Sequence, residues 1–246
     1  MSSSETLISH LIELRDRLLR CVLAVLLVFV GVFPWAADLY TLLAQPLLAS
    51  LPKGAQMIAT DVTTPFFVPL KVAMMAAFLI ALPYVLYQLW RFVAPGLYTH
   101  EKRLVLPLIL ASTLLFFCGM AFAFFAVFPV VFGFITASAP QGVAVMTDID
   151  KYLGFVISLF VAFGLTFQVP VAVIVLVRTN IVSVEKLREV RPYVIVGAFV
   201  IGAILTPPDV ISQFMLAMPL WLLYEAGIVV AGMVGQKTGP AQQRTE

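Results

Sequence analysis

Six stretches of this chain, at residues 21–37, 66–90, 104–127, 154–177, 193–205 and 213–233, are too apolar to stand in water. A bilayer core about 30 Å thick is crossed by roughly 20 helical residues. In lipid, backbone N–H and C=O groups find partners only inside helices or closed barrels. A barrel would need segments of about ten residues that alternate apolar and polar positions, and none runs through these stretches. They are therefore read as helices, and the fold class as an all-α polytopic membrane protein with six transmembrane helices. With 62% hydrophobic and 11% charged residues, the composition lies far from soluble usage.

The cations set the orientation. Of 15 Lys and Arg residues, only Lys53, Lys71 and Lys151 fall outside one alternating set of segments. Arg15, Arg17 and Arg20 precede the first stretch, and Arg91, Lys102 and Arg103 follow the second. Arg178, Lys186, Arg188 and Arg191 follow the fourth, and Lys237 and Arg244 follow the last. Short loops rich in Lys and Arg stay on the cytoplasmic side, so both termini are cytoplasmic. The net charge of +2 adds little and implies no nucleic-acid role.

Residues 1–235 are expected to form a single transmembrane domain with an N-terminal amphipathic segment, followed by a disordered cytoplasmic tail at 236–246. In the amphipathic segment, 7–19, Leu7, Ile8, Leu11, Ile12, Leu14, Leu18 and Leu19 recur at helical spacing. This stripe predicts either a helix lying on the membrane surface or one helix running on into the first span. The outer segments 38–65 and 128–151 are read as a packed cap, with Pro46, Pro52, Gly54 and Pro65 as turns. The last two spans are expected to be short. Thr206-Pro207-Pro208-Asp209 stops the fifth, whose 13-residue window rises only about 20 Å.

Several polar residues need partners at membrane depth. Gln168 lies mid-span, and Pro170 leaves the Thr166 carbonyl without its helical donor. The amide serves either as interhelical glue or as the lining of a polar cavity. Glu225 and Lys71 are read as side chains that snorkel to the nearer surface. Glu13 pairs with Arg17 four residues on, and Glu101 suits the first turn of the third span. Both carboxylates also lie on the face where a basic ligand would arrive. Cys21 and Cys118 fall at different depths and are not expected to form a disulfide. His10 and His100 have no nucleophile and acid at a workable spacing. With no phosphate-binding glycine loop and no metal-ligand spacing either, no enzyme and no cofactor are expected.

Four motifs, in order, narrow the reading. They are His10-Leu11-Ile12-Glu13-Leu14-Arg15; Phe92-Val93-Ala94-Pro95-Gly96-Leu97-Tyr98 leading into His100-Glu101-Lys102-Arg103; Phe128-Pro129 with Phe132-Gly133-Phe134; and Arg191-Pro192-Tyr193 through Thr206-Pro207-Pro208-Asp209. Together they resemble the TatC family, the core receptor of twin-arginine protein translocases, over nearly the whole chain. The resemblance implies a receptor in the bacterial cytoplasmic (inner) membrane that binds signal peptides of folded proteins and exports them on the proton-motive force. Implied partners are single-span TatA and TatB proteins, twin-arginine signal peptides, the lipid bilayer and further copies of the chain. Glu13, Phe92 and Glu101 match the family's signal-peptide positions. Many relatives carry glutamate where this chain has Gln168, the expected partner-helix contact, so the role implied for this neutral amide is hydrogen bonding to a partner. A small-molecule secondary transporter is the alternative.

Overall fold

The computed structural model describes residues 3–50, 57–93, 102–137, 146–205 and 210–235. Within them every element is helical apart from one isolated bridge. Five helical stretches are long and apolar enough to cross a membrane: Leu11–Ala49, Thr64–Phe92, Leu106–Ile135, Ile149–Arg178 and Gln213–Met233. A sixth, Arg191–Ile204, is apolar but shorter. The protein is an all-α polytopic membrane protein. Its contacts divide it into two compact units, residues 1–95 with 120–162, and residues 96–119 with 163–246.

The first unit opens with α1 (Ser3–Val32), one continuous helix. Of the two readings of residues 7–19, the unbroken helix is therefore the one found. No proline or glycine interrupts it before Gly31, and α1 packs against α3 (Thr64–Val93). Leu11, Leu18, Leu27 and Val30 stay exposed along it, as suits a helix that meets lipid on its remaining faces. Pro34 falls in a single 3-10 turn, Phe33–Trp35, before α2 (Ala36–Ser50). Pro46 lies inside α2, which corrects its reading as a turn residue. One proline removes one donor, and the rest of this apolar helix carries on around it.

The second outer segment begins as helix. The third span, α4 (Lys102–Phe122), passes through a π turn at Ala123–Val127 into α5 (Phe128–Ala137). The first unit's aromatic core forms there, with Phe128 stacked on Phe160 at 5.2 Å and Phe132 5.5 Å from Tyr152. The buried Tyr152 hydroxyl donates to the Leu43 carbonyl at 2.6 Å, so the core is tied to α2 without an orphaned O–H.

On the outer side, Ile58 and Thr147–Ile149 exchange backbone hydrogen bonds as a parallel bridge. Lys71 donates to Asp150 at 2.5 Å, so it has a specific carboxylate partner and not only a route to the surface. The neighbouring Asp148 is a local hub. The Thr60 hydroxyl, then the Lys151, Thr60 and Asp150 amides, hold its carboxyl at about 2, against an ordinary 3.8. Because folding lowers this value, the clasp's contribution is complete above pH 3.8 and is lost as pH falls toward about 2. The melting temperature should drop across that interval more steeply for the parent than for Asp148→Asn. Parallel curves would remove Asp148 as a source of acid sensitivity.

The helix α6 (Ile149–Thr166) leads into the second unit and stops at a turn over Phe167 and Gln168, and α7 (Val169–Arg178) resumes with Pro170 in its first turn. The missing proline donor is harmless at that position. Asn180, at φ 55, closes α7. Asn tolerates this left-handed region. A short α8 (Val184–Glu189) follows, capped by the Ser183 hydroxyl accepting from the Lys186 amide at 3.2 Å. The last two helices are α9 (Arg191–Leu205) and α10 (Val210–Gly235). A Cβ on Gly227 would meet the Pro170 Cα at 2.9 Å, so α10 rides against the start of α7 on bare backbone. At 15 residues, α9 is short as expected. In contrast α10 runs for 26 residues, longer than the reading of both last spans as short. No proline stops it, since Pro219 sits inside the helix.

Candidate functional site

The cytoplasmic ends of α1 and α3 carry a polar chain within the first unit. Arg17 stands one helical turn beyond Glu13, so their side chains meet on one face of α1. Its Nε donates to Glu13 Oε1 at 3.0 Å, and its Nη2 donates to the same oxygen. The other arm reaches across to α3, where Nη1 donates to Gln88 Oε1 at 3.2 Å. Gln88 in turn donates from Nε2 to the Tyr84 hydroxyl at 2.8 Å. Gln88 is buried at 4% exposure, and a buried amide must be satisfied.

Exposure is unequal along this chain. The Glu13 side chain is 48% exposed, against 13% for Arg17. The carboxylate is thus presented to water while the guanidinium lies behind it. Phe92, partly buried, follows Gln88 by one turn near the end of α3. The adjacent Arg91 donates to the Tyr87 hydroxyl at 3.2 Å, with its guanidinium 6.0 Å from that ring's centroid. Glu101 lies outside the described residues. Sequence reasoning finds Arg17 only as half of a helix pair and misses Gln88. The available signal is the single amide side chain in the second span.

The second unit holds two further polar sites. Gln168 donates from Nε2 to the Ser112 carbonyl at 2.9 Å, while its Oε1 is buried with no partner among the described residues. An amide satisfied on one side matches interhelical glue and leaves one acceptor open. Glu225, expected to snorkel, instead accepts from Arg191 Nη2 at 2.6 Å, joining the start of α9 to α10. The Tyr224 hydroxyl beside it donates to the Leu187 carbonyl of α8 at 2.8 Å. Ile195, Phe199, Phe214, Ala217, Met218 and Trp221 line an apolar hollow of about 260 Å³ on α9 and α10. Gln168 is not among its lining residues. Both cysteines are free, and the described residues contain no group of three His, Cys, Asp or Glu placed to hold a metal ion.

These features define a multi-pass helical membrane protein whose polar groups gather at helix ends and at one mid-span amide. The sequence matches the family described as Sec-independent protein translocase protein (TatC) over residues 9–219. It is 54% identical to the protein of that name from Haemophilus influenzae, across 94% of this chain and 90% of that one. With the Escherichia coli K12 protein of the same name it shares 53% identity, over 93% and 88% respectively. A crystal structure of a twin-arginine translocase receptor TatC superposes with a TM-score of 0.78 at 41% identity, covering 91% of this chain and 98% of that one. The chain belongs to the TatC family, and is a component of the Sec-independent, twin-arginine protein translocase.

Proposed function

We propose that this protein is the signal-peptide receptor and core subunit of the translocase, working as one membrane domain in the bacterial cytoplasmic membrane. In this reading Glu13 and Glu101 take the paired arginines of a signal peptide and Phe92 flanks them. Single-span TatA and TatB proteins and further copies of the chain complete the complex, with Gln168 offering its open acceptor to a partner helix. Export draws on the proton-motive force, with no nucleotide or prosthetic group.

The observation that carries the proposal is that Glu13 already holds a guanidinium, through the Arg17 N–H groups on its Oε1. The local shape therefore accepts the chemical group that the ligand would bring. Guanidinium presents a planar fork of donors, whereas ammonium is a compact point charge, so arginine and lysine are not equivalent there. A small-molecule transporter would share the break between α6 and α7 at Gln168, but the family match directs the chain to protein translocation.

The test is binding of a fluorescent twin-arginine signal peptide and its twin-lysine version to the purified protein in detergent. The arginine form should bind at least about tenfold tighter, the equivalent of ~1.4 kcal/mol. Equal affinities would reject the receptor reading.

A further inference from the structure

We infer that Arg17 is a built-in placeholder for the ligand's arginine, occupying the Glu13 carboxylate until a signal peptide displaces it; this rests on the receptor reading above. Three observations combine. Arg17 supplies to Glu13 the same donors that an incoming arginine would bring, with Nε at 3.0 Å and Nη2 on the same oxygen. It also has a second anchor, because Nη1 is held by Gln88 at 3.2 Å and Gln88 by Tyr84 at 2.8 Å. On release from Glu13 the guanidinium stays bound to α3. Finally, Glu13 is 48% exposed and Arg17 13%, so the carboxylate is the member of the pair that an arriving ligand meets first. Arg15, also on α1, is engaged with Asp16 at 3.0 and 2.8 Å, whereas the Arg17 guanidinium lies on Glu13.

The consequence follows from exchange. A carboxylate left bare among the cytoplasmic cations would bind any passing lysine, arginine or metal ion. With a tethered guanidinium in place, every ligand must first replace a contact of its own kind. Absolute affinity falls for all ligands alike, and those that engage only Glu13 drop below useful occupancy. A peptide with two arginines makes up the loss at its second contact. Arg17 therefore sets the threshold for binding, while the arginine preference remains with the carboxylates.

Removing the competitor should tighten binding. Arg17→Gln is expected to lower the Kd for the twin-arginine peptide by about threefold to tenfold, the range of a partly exposed ion pair with added hydrogen bonds. Arg17→Lys keeps the charge but loses the fork, and should fall between that variant and the parent; it also serves if the glutamine variant folds poorly, as read by thermal unfolding. The gain must disappear in a Glu13→Gln background, where no carboxylate is left to free. Unchanged or weaker binding in Arg17→Gln, or an equal gain without Glu13, would overturn the placeholder. If the parent fails to prefer the twin-arginine over the twin-lysine peptide, the receptor reading itself falls. If the preference holds and only the Arg17 effect is missing, this inference alone fails.

Discussion

Replacing Glu101 by glutamine is expected to weaken binding of a twin-arginine signal peptide by at least about 30-fold while the protein stays folded. Breaking a partly buried charged hydrogen bond costs ~2–5 kcal/mol, and each ~1.4 kcal/mol is a decade in affinity. Glutamine preserves size and polarity, so the loss reports the charge. Glu13→Gln should cost less if Arg17 is a placeholder, because Glu13 would then exchange one guanidinium for another and the net gain would be the difference between two similar contacts. Glu101 immediately precedes α4. A carboxylate serving only that helix's first turn would contribute ~1 kcal/mol or less to stability and leave binding intact. Peptide titrations of the parent and both variants, with thermal unfolding alongside, separate the two roles. Unimpaired binding in Glu101→Gln would exclude it from the site.

Gly119→Ala should be among the most damaging single-methyl additions in the chain. A Cβ there would sit 2.5 Å from the Phe163 carbonyl oxygen and 2.9 Å from its carbon. Both are backbone atoms, so no side-chain rotation relieves the clash, and α4 must move away from α6. Overpacking of this kind costs about 1–3 kcal/mol. Gly197→Ala in α9 is the control, because nothing lies within 4 Å of its added Cβ. Alanine in place of a helical glycine gains about 0.5–1 kcal/mol. The melting temperature should therefore fall for Gly119→Ala and hold or rise for Gly197→Ala. A Gly119→Ala protein as stable as the parent would mean that the two helices are not in backbone contact there.

The helical spans were legible because a run of about 20 apolar residues announces itself, with no knowledge of its neighbours. The side of the membrane was legible in the alternation of Lys and Arg. Partners were much less so. Lys71 and Asp150 are 79 residues apart, and Arg191 and Glu225 are 34 apart. No local spacing announces that such pairs meet, and in both cases the chain by itself supports no more than a snorkelling side chain. Pro46 misleads for a different reason. Proline reads as a turn in water, but in an apolar helix a single lost donor is tolerated. Glu13 and Arg17 are visible as a helical pair, yet the reach to Gln88 depends on how α1 packs against α3 and cannot be read from either segment alone.

The 15 residues of α9 have a consequence outside the protein. At ~1.5 Å per residue they rise ~22 Å, about 8 Å less than a ~30 Å hydrocarbon core. Beside α9 the lipids must compress, and each ångström of mismatch costs a fraction of a kcal/mol. The strained annulus acts as a spring. A partner helix that takes the place of those lipids, over the apolar hollow on α9 and α10, releases the tension without a single polar contact. Lipid thickness thereby becomes a variable of assembly: thicker bilayers should favour association along this edge, and thinner ones should weaken it.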